Sequence, residues 1–323
     1  MVYKLTSSLC SSLRPAVTRF LNTAADAALD NILPPICLIC GQSALSTSRL
    51  CSHCQPHITL NSDTEKNVTK LRCLRCSVEI APSSSARIDS SPQDKVIRNN
   101  KISNDGALFC AQCIKHPPLF DQCVSALDYA AIPAKLINQL KHQGKLAATV
   151  PISHSMTLAV QSHYQDLSAR IDLAVAVPLH TDRLRQRGFN QAYEIAKPVC
   201  KQLDIPLAIN LCQRQFDNTP QQLADRATRQ RNLRGAFIVN KRPNKTMAAN
   251  IISRAKNLSG KNLKPAFKHS AKPISRHKIE GKQIAIIDDV VTTGATANAL
   301  AKSLLAAGAS RCDIWCFART PRK

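Results

Sequence analysis

From residue 117 onward, short runs of hydrophobic residues alternate with longer segments in which apolar positions recur at helical spacing. The short runs are rich in β-branched residues and predict strands, whereas the spaced pattern predicts amphipathic helices, including one over 132–142 and one ending near Leu203. Strands are predicted at 124–129, 171–179, 207–211, 284–287 and 313–318. This alternation is typical of an α/β domain with a doubly wound parallel sheet, which we place at residues 117–323.

The most informative of these runs is 284–287, which is too short for a helix and therefore predicts a strand buried on both faces. Asp288 and Asp289 follow where such a strand should leave the sheet, and residues 298–305 have helical composition. The residues between the acid pair and this helix are mostly small: Val290, Val291, Thr292, Thr293, Gly294, Ala295 and Thr296.

A small-residue turn before a helix presents backbone N–H groups at the positive end of the helix dipole, where a phosphate binds favourably. Adjacent carboxylates only accept hydrogen bonds at neutral pH, so they suit the vicinal hydroxyls of a ribose or a hydrated Mg²⁺ beside it. The turn lacks the Gly-Lys-Ser/Thr ending of a Walker P-loop, and the chain contains no Gly-x-Gly-x-x-Gly. A solvated acid pair followed by a capped helix is the simpler alternative.

Residues 1–35 contain no apolar run long enough for a signal peptide or a membrane span. Apolar residues between Pro15 and Leu33 recur at helical spacing, which predicts an amphipathic helix that packs on the body of the protein; contact with a membrane surface is the alternative. Together with the thiol usage below, this predicts a cytoplasmic protein without a membrane span.

Eight of the fourteen cysteines form four Cys-x-x-Cys pairs, a spacing that indicates metal binding in a cytosolic protein. Two such pairs complete a closed tetrahedral Zn²⁺ site, so residues 36–116 predict a double zinc ribbon with two structural ions. Short loop closure favours pairing of successive Cys-x-x-Cys pairs, while interleaved pairing is the alternative. The predicted ligands are Cys37, Cys40, Cys51, Cys54, Cys73, Cys76, Cys110 and Cys113.

Between the third and fourth cysteine pairs, residues 81–105 are rich in serine and charge and nearly lack large apolar residues. This composition predicts a disordered insertion in the second ribbon. The isolated cysteines outside the four pairs are interpreted as packing residues.

The formal net charge of +23 and the pI near 9.8 indicate a polyanionic partner or phosphorylated ligands. The charge concentrates in a predicted basic loop after residue 179, in the polar segment 220–234, and in 241–282, which has a single acid, Glu280. The last segment predicts a flexible basic insertion. Candidate contacts to nucleic acid are Arg183, Arg185, Arg187, Arg226, Arg229 and Arg231; a solvated basic surface is the alternative.

Apolar-Asp-Asp-Val-Val-Thr-Thr-Gly-Ala-Thr at 284–296 resembles the phosphoribosyl-pyrophosphate signature of type I phosphoribosyltransferases. That resemblance implies that Asp288 and Asp289 face the ribose diol and that 292–296 bind the 5′-phosphate, with Mg²⁺ accompanying the ligand. It also implies a pyrophosphate loop after the first core strand, here Pro178, Leu179 and His180, and a closing loop, for which 220–234 is the candidate.

Arg-Gly-Phe-Asn-Gln at 187–191, Leu-Pro-Pro before Cys37, the cysteine pairs and the terminal Ala-Arg-Thr extend the resemblance to the ComF family (ComF and GntX-like proteins) over most of 30–320. Members join a zinc ribbon to a phosphoribosyltransferase-like domain and are linked to natural competence or to the use of DNA as a nutrient. The long segment 241–282 departs from the family pattern.

Three functions follow as hypotheses. The first is a competence factor that handles single-stranded DNA with the competence machinery and keeps a phosphoribosyl-pyrophosphate site. The second is a salvage phosphoribosyltransferase acting on a nucleobase, which is weakened because no segment clearly forms a base-reading hood. The third is a zinc-ribbon adaptor without catalysis, which leaves the ligand signature unexplained. The sequence does not decide whether the protein is an enzyme.

Overall fold

The computed structural model describes residues 35–44, 47–59, 71–80, 96–97, 100–102, 108–164, 167, 171–215, 235–240 and 279–321. The predicted N-terminal helix and the predicted loop 220–234, with Arg226, Arg229 and Arg231, lie outside these residues. Nearly all of the predicted basic insertion, 241–278, lies outside them as well.

The chain divides into two compact units, Met1–Pro56 and His57–Lys323. The second cysteine cluster therefore belongs to the same unit as the large sheet. No helix among the described residues is both long and apolar enough to cross a membrane.

The helices of the described residues alternate with the longer strands, as the hydrophobic pattern predicts. The helices are α1 (Ala111–Lys115), α2 (Ala131–Gln143), α3 (Thr149–His163), α4 (Thr181–Arg187), α5 (Gln191–Gln202) and α6 (Ala295–Ala306), with 3₁₀ turns at Pro56–Ile58 and Leu146–Ala148. The strands are β1 (Val96–Ile97), β2 (Asn100–Ile102), β3 (Leu108–Phe109), β4 (Gln122–Asp128), β5 (Leu173–Ala176), β6 (Leu207–Ala208), β7 (Cys212–Arg214), β8 (Phe237–Val239), β9 (Gln283–Val291) and β10 (Arg311–Arg319).

Five strands form a parallel sheet in the order β4-β10-β9-β5-β6, which confirms the predicted α/β class. Two antiparallel pieces accompany it, β1-β2-β3 and β7-β8. From β5 the chain proceeds outward to β6, and from β9 it proceeds outward to β10 in the opposite direction. The space between β5 and β9 is therefore the topological switch point, where ligands of open α/β sheets bind.

The core of the sheet follows from the apolar run in β9. Ile284 and Ile286 pack in one cluster with the buried face of α6, while the alternating residues Ala285 and Ile287 are equally buried. Helices α3 and α5 contact each other and the strands. Because parallel strands are covered on both faces, an uninterrupted apolar run is the pattern that the sheet requires.

The start of β10 carries a buried polar network. The Asp313 carboxylate is fully buried and accepts hydrogen bonds from Tyr164 Oη at 2.7 Å, Gln122 Nε2 at 2.9 Å and Arg311 Nε at 3.0 Å. Trp315 Nε1 donates to Tyr164 Oη at 3.1 Å. Since Asp313 pairs in register with the first residue of β4, this network lies at the amino-terminal end of the sheet.

Three predictions about local structure are wrong, and the first concerns the signature strand. It does not end before the acid pair but continues to Val291, because β10 keeps pairing with β9 as far as Arg319.

The second is the predicted basic loop containing Arg183, Arg185 and Arg187, which is the helix α4. His180 caps its first turn, and Gly188, at a φ of 82°, ends it in the left-handed conformation that glycine adopts readily. Three arginines at alternate positions cannot share one helix face, but a helix does not require them to. A helix instead places Arg183 and Arg187 together, one turn apart, and Arg185 on the other side.

The third concerns the predicted disordered insertion 81–105, of which residues 96–97 and 100–102 form the strands β1 and β2. They pair antiparallel with each other, and β2 pairs with β3 beside the fourth cysteine pair. Three of the four β-branched residues of the segment, Val96, Ile97 and Ile102, belong to these strands, and the composition of the whole segment obscured them. Residues 81–95, 98–99 and 103–105 lie outside the described part of the chain.

Candidate functional site

The acid pair lies at the switch point because the two neighbours of β9 stop at different places. On one side, β5 pairs with β9 only as far as Ala176 opposite Ile287. On the other side, β10 pairs as far as Arg319 opposite Val291. Asp288 and Asp289 are thus the first residues of β9 beyond the end of β5, so they border the crevice although they are still within a strand.

Asp289 is buried, with 3% of its surface exposed, and its Oδ2 lies 2.5 Å from Nζ of Lys141. Lys141 comes from the last turn of α2, which follows the edge strand β4 and ends at Gly144. Sequence reasoning missed this lysine, because helical spacing alone does not show that the end of α2 reaches the switch point. A lysine in the last turn before a glycine cap was the only local signal.

Asp288 differs from its neighbour in its electrostatics. Burial raises the pKa of the Asp288 carboxyl well above its ordinary value, the adjacent Asp289 carboxylate raises it further, and Lys141 acts in the opposite sense. Its Oδ1 accepts a hydrogen bond from the Asp289 N–H at 2.9 Å. The pair therefore favours a ligand that brings hydrogen-bond donors or a cation to the Asp288 carboxylate.

The turn after β9 leads into the first turn of α6, as the sequence predicts. Thr292 and Thr293 are exposed, and the Ala295 N–H donates to Thr293 Oγ1 at 3.3 Å. Gly294 precedes the helix at a φ of 79°, a conformation that a residue with a side chain adopts only with strain. The turn thus places hydroxyl and amide donors one step from the acid pair, in the geometry of an anion-binding helix terminus.

The loop after β5 borders the other side of the crevice. The Val177 N–H donates to Ile287 O at 2.9 Å, which holds the start of the loop Pro178-Leu179-His180 against β9. Asn190 Nδ2 donates to Val177 O at 3.0 Å, and Asn190 Oδ1 accepts from Ala192 N at 3.1 Å, capping α5. The Asn-Gln part of the Arg-Gly-Phe-Asn-Gln motif thereby fixes this loop.

Arg187 belongs to this crevice more than to an open basic surface. Its guanidinium is half-buried and donates to Gln191 Oε1 at 2.6 Å. Burial lowers the pKa of Arg187, and the charge of the nearby Asp289 opposes that shift. Arg185, by contrast, is exposed and pairs with Asp182 at 3.0 Å. The three arginines that the sequence grouped together are therefore in different surroundings.

The cysteines form two clusters by pairing of successive Cys-x-x-Cys pairs, which confirms the favoured arrangement over the interleaved one. In each cluster the four sulfurs lie within 4.8 Å of one another. The Cys40–Cys51 and Cys76–Cys110 sulfurs are 3.6 and 3.7 Å apart. Four thiolates about 2.3 Å from one tetrahedral Zn²⁺ are roughly 3.8 Å apart, so each cluster has the donor set and spacing for one structural Zn²⁺.

The first turn of each cluster is built in the same way. The Cys37 N–H donates to Gln42 O and the Gly41 N–H to Cys37 O; the Cys73 N–H donates to Val78 O and the Ser77 N–H to Cys73 O. The residue after the second cysteine has a positive φ in both, 81° at Gly41 and 56° at Ser77. Burial raises the pKa of Cys37, but backbone hydrogen bonds from Cys40, Cys51 and Ile39 outweigh it and lower that pKa to about 6, which favours the thiolate that a metal needs.

The second cluster is hydrogen-bonded to the edge of the sheet. The Cys123 N–H of β4 donates to Leu74 O at 3.3 Å, and Arg72 pairs with Asp128 at 2.9 Å. Arg319 Nε, at the end of β10, donates to Cys76 O at 2.7 Å. The strand edge beside β4 is thereby covered by a cysteine turn.

Comparison with known proteins adds two kinds of relative to this picture. The chain is 28% identical over 212 residues to the DNA utilization protein YhgH of Escherichia coli K12, covering 65% of this chain and 78% of that protein. It is 25% identical over 214 residues to Competence protein F of Haemophilus influenzae, covering 66% and 79%. The Salmonella typhimurium DNA utilization protein YhgH is 27% identical over 218 residues, covering 66% and 79%. No family model matches the chain.

The fold and the site define an α/β protein with a five-stranded parallel sheet and two cysteine clusters of the zinc-ribbon kind. These relatives, named DNA utilization and competence proteins, support the resemblance of this chain to the ComF family.

Proposed function

We propose that the protein is a cytoplasmic ComF-type factor that handles single-stranded DNA and binds phosphoribosyl pyrophosphate at the switch point. One observation carries the ligand assignment: an acid pair, with Asp289 buried and Asp288 half-buried, adjoins the turn before α6 at the switch point between β5 and β9, where α/β sheets bind ligands.

In the proposed complex, the ribose hydroxyls donate to Asp288 and Asp289, and the 5′-phosphate accepts from the turn 292–296. The pyrophosphate lies against the loop 177–180, near Lys141 and Arg187, which supply positive charge. Mg²⁺ bound to the pyrophosphate would lower the pKa of Asp288 by bringing a cation to the site.

Isothermal titration with phosphoribosyl pyrophosphate and Mg²⁺ tests this part of the proposal. We expect one site per chain, competition by inorganic pyrophosphate with Mg²⁺, and weaker binding after Lys141→Met. The matched control is Lys135→Met, on the same helix but outside the last turn. An intact wild-type protein that binds none of these ligands would refute the site.

The DNA part of the proposal rests on the net charge of +23 and on the names of the relatives. The proposed contacts are phosphate contacts from Arg183 and Arg185, from 220–234 with Arg226, Arg229 and Arg231, and from 241–282. Arg187, which the sequence predicts as a nucleic-acid contact, is proposed to supply positive charge to the crevice as well. Few aromatic residues lie near these segments in the sequence, so base stacking should contribute little.

Binding dominated by phosphate contacts weakens steeply with salt, with a slope in log K of about −0.7 per neutralised phosphate on single strands. Deleting 241–276 should flatten this slope by about 3 to 4, if roughly four to six contacts are lost. Zinc content and phosphoribosyl-pyrophosphate affinity should stay the same. An unchanged slope would exclude the segment as a DNA contact, and no binding at low salt would favour a salvage phosphoribosyltransferase.

The clusters make a separate test possible. Metal analysis of the purified protein should give about two Zn²⁺ per chain, since each closed four-thiolate site takes one. Reduced thiols that hold metal also support the proposed cytoplasmic location. Loaded clusters in a protein that binds neither DNA nor phosphoribosyl pyrophosphate would favour the adaptor hypothesis instead.

A further inference from the structure

Arg319, the last residue of β10, is an arginine with only 1% of its surface exposed. Its guanidinium donates to four backbone carbonyls: Nε to Cys76 O at 2.7 Å, and Nη1 to Val291 O at 2.9 Å, to Thr292 O, and to Thr320 O at 3.1 Å. Burying a guanidinium is costly, so a position that keeps one has a strong geometric reason.

The bonds of Arg319 join two sites that are far apart in the sequence. On one side is the carbonyl of Cys76, a ligand residue of the second cysteine cluster. On the other side are the carbonyls of Val291 and Thr292, where β9 ends and the proposed phosphate turn begins. The single, planar guanidinium of Arg319 therefore bridges the cysteine turn and the first residue of the phosphate turn.

A second contact runs from the segment after the same cluster to the same turn. After α1, which carries Cys113, the chain passes through Leu119 and Phe120. The Leu119 N–H donates to Oδ1 of Asn298 in α6 at 2.6 Å, and the Phe120 ring lies 3.7 Å from the position that a Cβ on Gly294 would occupy. The segment that follows the cluster thus contacts both Gly294 of the turn and the helix that follows it.

Charge supports the same connection. One Zn²⁺ held by four thiolates carries a net charge of −2, and the nearby buried guanidinium offsets part of it. Metal loading should therefore stabilise the position of Arg319, and the loss of metal should leave a buried cation with a weaker electrostatic partner.

We propose that Arg319 is a positioning residue that couples metal binding in the second cysteine cluster to the conformation of the phosphate turn at Thr292. In this arrangement the second cysteine cluster acts as part of the ligand site, although its cysteines lie outside the crevice. The proposal builds on the phosphoribosyl-pyrophosphate site above, but its first test needs no ligand.

The first test measures hydrogen exchange of full-length, zinc-loaded protein in peptides covering 291–298. Arg319→Met should accelerate exchange there about tenfold, since charge-assisted hydrogen bonds that hold the turn are lost. Peptides covering 283–287 should keep their protection. Arg319→Lys keeps the charge but not the fork and should fall between the wild type and Arg319→Met.

The matched metal-ligand variants are Cys76→Ser and Cys40→Ser, the second cysteine of the first turn in each cluster. Emptying the second cluster with Cys76→Ser should accelerate exchange in 291–298 about as much as Arg319→Met, and combining the two changes should add little. Cys40→Ser should leave 291–298 unaffected. Equal effects of the two cysteine variants, or uniform loss of protection over the whole sheet, would overturn the proposal in favour of a general folding role.

The second test measures the reverse effect, that of ligand binding on zinc release. Saturating phosphoribosyl pyrophosphate with Mg²⁺ should slow chelator-driven release of one of the two zinc ions about tenfold, and Arg319→Met should abolish the effect. If the wild type binds no phosphoribosyl pyrophosphate, the proposed function fails while the exchange test still decides the coupling. If the ligand binds but Arg319→Met changes neither the hydrogen-exchange rate nor the zinc-release rate, the proposed coupling is wrong and the proposed function stands.

Discussion

Two buried aspartates, Asp313 and Asp289, lie at opposite ends of the same sheet. They differ in how completely hydrogen bonds and counter-charges within the fold pair their carboxylates. Asp313, at the amino-terminal end, accepts from three side chains and is fully buried. Asp289, at the carboxyl end, has a lysine at 2.5 Å and a second acid, Asp288, directly before it. The first carboxylate has its partners inside the fold, whereas the second borders a crevice.

The difference shows what separates a structural carboxylate from a binding one. A buried charge is tolerated where hydrogen bonds and counter-charges saturate it, and such a network serves stability. Where two acids share one lysine, one of them resists ionisation until a ligand brings a cation or hydrogen-bond donors. Both aspartates are buried in strands, so burial alone does not distinguish them.

The largest expected effect is on stability and comes from removing the Asp313 carboxylate at the amino-terminal end of the sheet. Asp313→Ala should lower the free energy of unfolding by about 3–5 kcal/mol, because it leaves the Tyr164 hydroxyl, Gln122 and Arg311 without their shared acceptor. Urea unfolding of zinc-loaded protein measures this. Ligand affinity per folded molecule should be unchanged, and a cost below about 1 kcal/mol would show that the network contributes little.

The next effect is on binding. Asp289→Asn should weaken phosphoribosyl-pyrophosphate binding by about 1.5–3 kcal/mol, the usual contribution of a charge-assisted hydrogen bond, and should leave the fold intact. Titration calorimetry measures the affinity, and circular dichroism provides the control for folding. Undiminished binding in this variant would remove Asp289 from the site.

A smaller loss tests the network without removing its charge. Tyr164→Phe should cost about 1–2 kcal/mol, since it deletes one donor to Asp313 and the acceptor for Trp315. Burial raises the pKa of Tyr164, so the wild type should also lose stability as the pH rises above about 10, where the unfolded tyrosine ionises. Parallel pH profiles of the two proteins above pH 10 would contradict this assignment.

The smallest expected effect has the opposite sign. Burial raises the pKa of Asp288, so the folded state keeps that proton at a pH where the unfolded state has lost it. The resulting stability is present below about pH 4 and is lost as the pH rises through the raised folded pKa. Asp288→Asn should therefore stabilise the ligand-free protein at pH 7 by about 0.5–2 kcal/mol, as substitutions at strained sites often do.

Thermal unfolding at pH 4 and pH 7 measures this gain, which should be small at the lower pH. Val290→Ala, at a partly buried neighbour in the same strand, provides the control for a change in packing alone. Equal stability of Asp288→Asn and wild type at both values would show that the acid pair carries no electrostatic cost.

The sequence by itself determined the features that depend on local patterns. The alternation of apolar runs and helical segments predicted the parallel sheet, since a strand covered on both faces must be apolar throughout. Cys-x-x-Cys spacing predicted both clusters, because two residues are what a turn needs between sulfurs that share an ion. The small-residue turn before α6 was readable for a similar reason: Gly294 supplies a positive φ.

The tertiary structure decided what depends on distance in the sequence. Lys141 reaches Asp289, Arg319 reaches Cys76, and Tyr164 reaches Asp313 only because the sheet order brings their elements together. The length of β9 depended on β10 as its pairing partner, and the helix α4 on its caps at His180 and Gly188. No local pattern records these contacts, because the free energy of each arises between segments that are far apart along the chain.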